Sequence, residues 1–170
     1  MNFDKLKLDL SKLPEVSVYL EIPEKSRVKY EIDEETGFLT ADRFLYTAMS
    51  FPFSYGFIPN SRGEDGDPLD VLLLASESLV PGVVVKSKII GLLEMTDEAG
   101  IDTKYIAVPV EKVDPVYGLY NDVEDVPSSI KDKIKHFFDH YKELEPNKWV
   151  KTGEFLGKDK AISSIVKLSK

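Results

Sequence analysis

The sequence contains no cysteine, which excludes disulfide bonds and thiolate metal sites. It also lacks a long apolar run, since the longest, residues 71–75, is far shorter than the roughly 20 residues of a membrane span. Internal repeats and low-complexity segments are absent as well. Residues 1–8 alternate charged with apolar side chains and do not form the apolar core of a signal peptide. We therefore expect a cytoplasmic protein without a membrane partner.

Positive charge is in short supply. The chain has 22 Lys and Arg against 30 Asp and Glu, a formal net charge of −8. Such a chain repels nucleic-acid backbones, whose binding depends on Lys and Arg, so no nucleic-acid partner is expected. Divalent cations would be attracted instead, although acidity can also serve solubility alone. With 42% hydrophobic residues, the chain has enough apolar material for one globular domain over residues 1–170.

The spacing of apolar residues predicts a mainly β protein with flanking α-helices. Short segments rich in Val, Ile, Tyr and Phe, bounded by Pro, Gly and Asp, predict strands. These segments are residues 16–22, 27–33, 37–43, 55–59, 69–75, 83–95 and 102–110. Helical spacing predicts a helix over about residues 127–144, capped by Asp125 or a neighbour, and a weaker one over about 159–168. Closely spaced short strands favour a β-barrel, here with two C-terminal helices.

The loop before the predicted strand 69–75 carries the strongest chemical signal. Asp65, Asp67 and Asp70 stand at i, i+2 and i+5, and carboxylate oxygens are the ligands that Mg²⁺ prefers. An EF-hand is excluded, because its sixth and twelfth positions would hold Asp70 and Ser76 in place of Gly and Glu. An acidic surface turn remains an alternative, although Asp70 at the start of a buried strand is costly without a partner.

Charged side chains recur on one face of several predicted strands. By strand alternation Lys29 and Glu31 share a face, as do Asp102 and Lys104, and Glu21 points away from its apolar neighbours. A solvated outer face would explain any single strand, whereas a polar cavity would explain several together. Such a mixture of acids and bases suits metal-assisted attack of water on a phosphoanhydride. Further candidates for this cavity are Arg43, Tyr55, Asp97, Tyr141 and Lys142.

Two other features suggest different functions. The aromatic residues within 51–57 could stack on bases, as in an OB-type module that binds single-stranded nucleic acid, but aromatics in β proteins more often form the core. A metal-dependent nucleotide hydrolase would need a base-binding pocket, which the sequence does not indicate. His136 and His140 have the i, i+4 spacing of a zinc site, yet Phe137 stands where a zincin needs Glu. Packing or a subunit interface is therefore the favoured interpretation of this pair.

Taken together, these motifs closely resemble those of the family I soluble inorganic pyrophosphatases of prokaryotic type. Residues 64–71 match the acidic loop of that family, and further blocks follow in its order and spacing over roughly residues 15–150. The matching blocks are residues 21–23, 29–33, 42–43, 55–56, 95–100, 102–104 and 136–142. Phe51 departs from the pattern, because many relatives have Tyr there, and one phenolic hydrogen bond near the site is lost.

The resemblance implies Mg²⁺-dependent hydrolysis of pyrophosphate to two orthophosphates by an inorganic diphosphatase. It implies an OB-like five-stranded barrel and a homohexamer, with His136 and His140 at a subunit interface. Asp67 would be the general base and Tyr55 would lie close to the nucleophile. The implied metal ligands are Glu21, Glu31, Asp65, Asp70, Asp97 and Asp102. The implied phosphate-binding residues are Lys29, Arg43, Lys104, Tyr141 and Lys142.

Overall fold

The computed structural model describes residues 3, 5–33, 35–64 and 66–169. The strands are β1 Glu15–Ile22, β2 Val28–Ile32, β3 Leu39–Phe44, β4 Ser54–Phe57, β5 Asp70–Leu73, β6 Val84–Asp97, β7 Gly100–Ile101, β8 Lys104–Pro109 and β9 Val150–Gly157. The α-helices are α1 Ser128–His140 and α2 Lys158–Leu168. Short 3-10 helices cover Leu10–Lys12, Tyr117–Leu119 and Val123–Asp125.

Five of these strands close into a barrel. Neighbours pair in the order β1, β4, β5, β8 and β6, and β6 returns to pair with β1. The β5–β8 pair is parallel and the other pairs are antiparallel. Gly56 on β4 faces the backbone of β1 so closely that an added Cβ would lie 1.9 Å from the carbonyl oxygen of Tyr19. The predicted five-stranded barrel with two C-terminal helices is confirmed.

The barrel strands β4, β5 and β8 are buried on both faces. In β5, Val71 and Leu73 belong to an apolar cluster that includes Ala161 and Ile165 of α2. Leu72 lies in a second cluster that contains three apolar residues of α1. A strand covered on both sides reads as a continuous apolar run, which explains residues 71–75. The two helices therefore pack against opposite sets of strand residues.

A second, two-stranded sheet stands apart from the barrel. It is the antiparallel hairpin of β2 and β3, in which Lys29 pairs with Arg43 and Glu31 with Thr40. None of the five residues of β2 is fully buried. The hairpin thus brings its charged face beside the barrel without burying it in the core.

The C-terminal region differs from the sequence prediction in two respects. Strand β9, between the helices, was not predicted, because Gly153 interrupts its pattern and it pairs with the distant strand β6. Asp125 was also wrong as the cap of α1. Pro127 holds that position without a side-chain hydrogen bond, while Asp125 forms a capping box with Asp122 in the preceding 3-10 helix. Over the described residues, no helix is long and apolar enough to span a membrane.

Candidate active site

A cavity of about 1200 Å³ lies between the charged hairpin, the strand ends and the end of α1. Asp65 lies outside the described residues. Every other predicted site residue lines this one cavity. These residues are Glu21, Lys29, Glu31, Arg43, Tyr55, Asp67, Asp70, Asp97, Asp102, Lys104, Tyr141 and Lys142. The charged faces of the predicted strands therefore share a polar cavity and are not simply a solvated outer surface.

A buried lysine joins two of the predicted metal ligands. The Nζ atom of Lys104 lies 2.5 Å from a carboxylate oxygen of Asp70 and 2.5 Å from one of Asp102. Its side chain is 4% exposed. Burial opposes its charge, but the facing carboxylates outweigh that effect and hold the pKa of Lys104 well above its ordinary value. Burial likewise raises the pKa of Asp102, although Lys104 counteracts it. Lys104 therefore carries a permanent positive charge between two acids.

A second ion pair lies where β6 meets the end of α1. Lys142 Nζ donates to Asp97 Oδ2 at 2.8 Å, and the backbone N–H of Ala99 donates to the other oxygen at 2.8 Å. Burial raises the pKa of Asp97, but these hydrogen bonds outweigh it and leave the pKa lowered. Asp97 is thus ionised and held in one orientation at the cavity wall.

On the hairpin side of the cavity, the charged side chains form a continuous network of ion pairs. Lys29 Nζ lies 2.6 Å from Glu31 and 3.2 Å from Asp42. Asp42 in turn accepts from Nη1 of Arg43 at 2.5 Å, and Arg43 Nε donates to Glu145 at 3.1 Å. Cations and carboxylates alternate along this network, which limits their mutual repulsion.

A buried glutamate and two buried tyrosines also line the cavity, and burial raises the pKa of all three. Glu21 is buried, and burial raises its pKa to about 7 even though its Oε1 accepts from the backbone N–H of Ile32 at 2.8 Å. Burial also raises the pKa of Tyr55 well above its ordinary value, and that of Tyr141 to a smaller extent. Both phenols therefore stay neutral and can donate a hydrogen bond throughout the physiological pH range.

The donor chemistry of the cavity fits a hard divalent cation, because its ligands are carboxylate oxygens. Asp70 and Asp102 already share one positive group, the ammonium of Lys104. Among the residues that the structure describes, no three acidic or histidine side chains converge closely enough to form a ready-made metal centre. Asp65, the remaining predicted ligand of the acidic loop, is not among the described residues.

Sequence reasoning gave no role to two acids that the structure connects to the site, Asp42 and Glu145. Asp42 contacts both Lys29 and Arg43, and its position next to Arg43 in a matched block was the available signal. Glu145 is buried, yet nothing in the sequence distinguishes it from the exposed Glu143. Its partner is 102 positions away along the chain.

Of the two competing features, the aromatic segment 51–57 reaches the cavity through Tyr55 and Phe57, whereas the histidine pair does not line it. The aromatic residues within 51–57 are buried, with Phe51 3%, Phe53 7% and Phe57 8% exposed, so they form core and not a surface for bases. Phe51 packs against Tyr55, Phe137 and Tyr141. The rings of His136 and His140 lie 4.7 Å apart on α1, away from the described cavity lining.

Comparison with known proteins places this geometry in context. A family model described as inorganic pyrophosphatase matches residues 18–170. The inorganic pyrophosphatase of Aquifex pyrophilus is 53% identical over 153 residues, which cover 90% of this chain and 86% of that protein. Solved structures of inorganic pyrophosphatases are also similar to this chain in fold and in sequence. The Helicobacter pylori inorganic pyrophosphatase has a TM-score of 0.90 at 45% identity, with 96% of this chain and 94% of that chain covered. The Thermus thermophilus enzyme has a TM-score of 0.90 at 40% identity, with 96% and 95% covered.

Proposed function

The chain belongs to the inorganic pyrophosphatase family and is an inorganic diphosphatase, and we propose that it releases two orthophosphates from pyrophosphate with Mg²⁺ as its cofactor. The observation that carries this proposal is the gathering of carboxylates and fixed cations around one cavity. Pyrophosphate is densely negative, so carboxylates beside it would repel it unless divalent cations lay between them. Lys and Arg alone would bind phosphate but would not explain so many acids.

Asp70, Asp97 and Asp102, together with Asp65, are the proposed direct metal ligands. Glu21 and Glu31, which also line the cavity, would act through metal-bound water. When bound, Mg²⁺ lowers the pKa of a coordinated water and neutralises phosphate oxygens. All these ligands are oxygen donors, which favours Mg²⁺ over softer metals.

Asp67 is proposed as the general base that takes the proton of the attacking water. It is exposed to the cavity from the acidic loop, three residues before β5 begins. Tyr55 stays protonated because of its burial and would donate a hydrogen bond near the nucleophile. The two groups thus have complementary roles, one accepting and one donating a proton or hydrogen bond.

The phosphate groups would be held by Lys29, Arg43, Lys104, Tyr141 and Lys142. Arg43 offers a planar set of donors that suits a phosphate edge, whereas the lysines supply compact charges. These groups come from the hairpin, from β8 and from the end of α1, so they surround the cavity on several sides. Charge that develops on the leaving phosphate would be stabilised by the same donors.

The test is a phosphate-release assay with purified protein, pyrophosphate and millimolar Mg²⁺. We expect two orthophosphates per pyrophosphate, no release in excess chelator, and recovery when Mg²⁺ is restored. The Asp67→Asn variant, purified in the same way, controls for contaminating activity. Little release from ATP is expected, because many of the side chains that line the cavity are charged and suit phosphate groups better than a base. No release from pyrophosphate by folded protein would overturn the proposal.

We further propose that the protein works in the cytoplasm as a homohexamer. The location is supported by the absence of cysteine. The assembly rests on the family resemblance, and His136 and His140 on α1 are the proposed interface residues.

A further inference from the structure

Glu145 is a buried acid beside the cavity that the proposed reaction does not use. Its side chain is 8% exposed, whereas that of Glu143, two residues earlier, is 51% exposed. Burying an ionised carboxylate is costly unless a cation compensates it. Arg43 supplies that cation, since its Nε donates to Glu145 Oε1 at 3.1 Å. The burial of Glu145 therefore depends on its contact with Arg43.

The guanidinium of Arg43 is held along two of its edges. Glu145 engages Nε, and Asp42 engages Nη1 at 2.5 Å. Because the guanidinium is planar and rigid, two such contacts fix the orientation of its plane. Within the described residues, these hydrogen bonds leave the Nη2 donors of Arg43 available to a ligand. Arg43 itself lines the cavity, whereas Glu145 is not part of the described cavity wall.

Glu145 also connects two separate parts of the site. Its backbone N–H donates to the carbonyl of Lys142 at 2.9 Å, so it belongs to the turn that directly follows Tyr141 and Lys142. Arg43, by contrast, belongs to β3 of the hairpin. The contact between Glu145 and Arg43 thus links the turn that follows α1 to strand β3 of the hairpin, two segments that are far apart in the sequence.

We propose that Glu145 is a positioning residue that holds the guanidinium of Arg43 in the orientation in which it binds a phosphate group of the substrate. Glu145 can have this role only if Arg43 binds phosphate, as proposed above. It would not touch the substrate. Its effect would pass entirely through Arg43, which distinguishes positioning from a general contribution to the stability of the turn.

The test is a double-mutant cycle of Glu145→Gln and Arg43→Lys, measured by steady-state hydrolysis of pyrophosphate at saturating Mg²⁺. Gln keeps the shape of Glu but removes the charge. We expect Glu145→Gln to raise KM about ten-fold, the factor for loss of one charge-assisted hydrogen bond, with a smaller change in kcat. Arg43→Lys should also raise KM. In the Arg43→Lys background, Glu145→Gln should add less than about two-fold, because coupled residues are not additive.

Asp139→Asn is the matched structural control. Asp139, near the end of α1, accepts from the backbone N–H and the Oγ1 of Thr152 at 3.0 and 2.8 Å, and so ties α1 to β9. This variant should lower the Tm by roughly 2–4 °C, because it weakens one hydrogen-bonded contact, and leave KM unchanged. Glu145→Ala, which also removes the acceptor, should raise KM at least as much as Glu145→Gln.

The outcomes separate the proposal from its premise. If Arg43→Lys raises KM but neither Glu145 variant does, positioning by Glu145 is overturned and the phosphate-binding role of Arg43 stands. Equal KM effects of Glu145→Gln in both backgrounds would also overturn it. If the parent protein hydrolyses no pyrophosphate, the proposed function fails and the positioning role fails with it. If the parent is active but Arg43→Lys leaves KM unchanged, Arg43 does not bind phosphate, and the positioning role fails while the proposed hydrolysis stands.

Discussion

At the scale of single residues, the cavity is organised by pairs of opposite charge. Close ion pairs join Lys104 to Asp70 and Asp102, Lys142 to Asp97, and Arg43 to Asp42. Each of these carboxylates is thus paired with a cation. The three cations line the cavity, where a phosphate group could contact them. Pre-oriented groups of this kind need little rearrangement when a charged substrate binds.

Asp67→Asn should lower kcat by about 10²–10⁴-fold, because an amide cannot accept the proton of the attacking water. Steady-state hydrolysis of pyrophosphate measures the effect, and the thermal unfolding midpoint should stay within about 2 °C of the parent. Asp132→Asn, an exposed position on α1, is the control and should keep full activity. A kcat within a few-fold of the parent would remove Asp67 from the role of base.

Lys104→Met should destabilise the metal-free protein, because it removes the positive charge between Asp70 and Asp102. Loss of a partner from a largely buried pair costs about 3 kcal/mol, or roughly 6–12 °C in Tm. Added Mg²⁺ should raise the Tm of the variant more than that of the parent, since it can neutralise the two carboxylates.

Thermal unfolding in chelator and in millimolar Mg²⁺ provides this measurement. Lys86→Met, at an exposed position of β6, is the control and should change the response to Mg²⁺ little. Equal gains in Tm for Lys104→Met and the parent would contradict the prediction that Mg²⁺ takes over the charge compensation that Lys104 gives these carboxylates.

At the scale of elements, one buried acid away from the cavity joins two neighbouring barrel strands. Asp114 follows β8 and is 6% exposed. Its carboxylate accepts from the backbone N–H and Oγ of Ser76, just after β5, at 2.8 and 2.7 Å. It also accepts from the N–H groups of Val116 and Tyr117. Burial raises the pKa of Asp114, but these hydrogen bonds outweigh it and lower the pKa below 3.8.

Asp114→Asn should therefore lower the free energy of unfolding by about 1–3 kcal/mol at neutral pH. A folded-state pKa below the unfolded value of 3.8 means that the ionised carboxylate stabilises the fold fully above that value. The contribution is then lost as the pH falls through the lower folded-state pKa. The difference between the two proteins should be constant from pH 5 to 7, and should narrow below about pH 4.

Urea unfolding at a series of pH values tests this prediction. The exposed Asp132→Asn serves again as the control, with no resolvable difference from the parent at any pH. A stability difference between Asp114→Asn and the parent that persists unchanged below pH 4 would show that the charge of Asp114 is not its source.

At the scale of the whole molecule, α1 contributes to both the site and the proposed assembly. Its buried face, with Ile134, Phe137 and Phe138, packs into the core. Its end leads into Tyr141 and Lys142 at the cavity. His140, on the same helix, is 45% exposed and pairs with Glu143 at 2.8 Å. A subunit contact at His140 would therefore lie next to a segment that carries substrate-binding groups.

His140→Ala should weaken the proposed hexamer, because it removes a partly exposed imidazole that another subunit could contact. Sedimentation velocity over a range of protein concentrations should show smaller species at concentrations at which the parent is fully assembled. Lys133→Ala, at an exposed position of the same helix, should leave the distribution unchanged. A hexamer of undiminished stability in His140→Ala would remove this residue from the interface.

Local chemistry determined much of this protein from its sequence alone. Strand alternation marked Lys29 with Glu31, and Asp102 with Lys104, as pairs on one face, and both are ion pairs in the structure. Apolar spacing predicted both helices, and short bounded segments predicted the barrel strands. These features follow from periodicities of two and 3.6 residues, which depend on neighbours along the chain. The acidic loop likewise pointed to a metal-dependent reaction, and the matched blocks to the family.

Only the tertiary structure decided which of these groups meet. Strand alternation indicates which residues share a face, but not whether that face lines a cavity. Glu21 and Glu31 line the cavity because the hairpin lies beside the barrel. Strand β9 forms because β6 extends beyond the barrel and offers it an edge. Glu145 and Arg43 pair across 102 positions. No local pattern encodes such a contact, because its energy comes from burial that the whole fold creates.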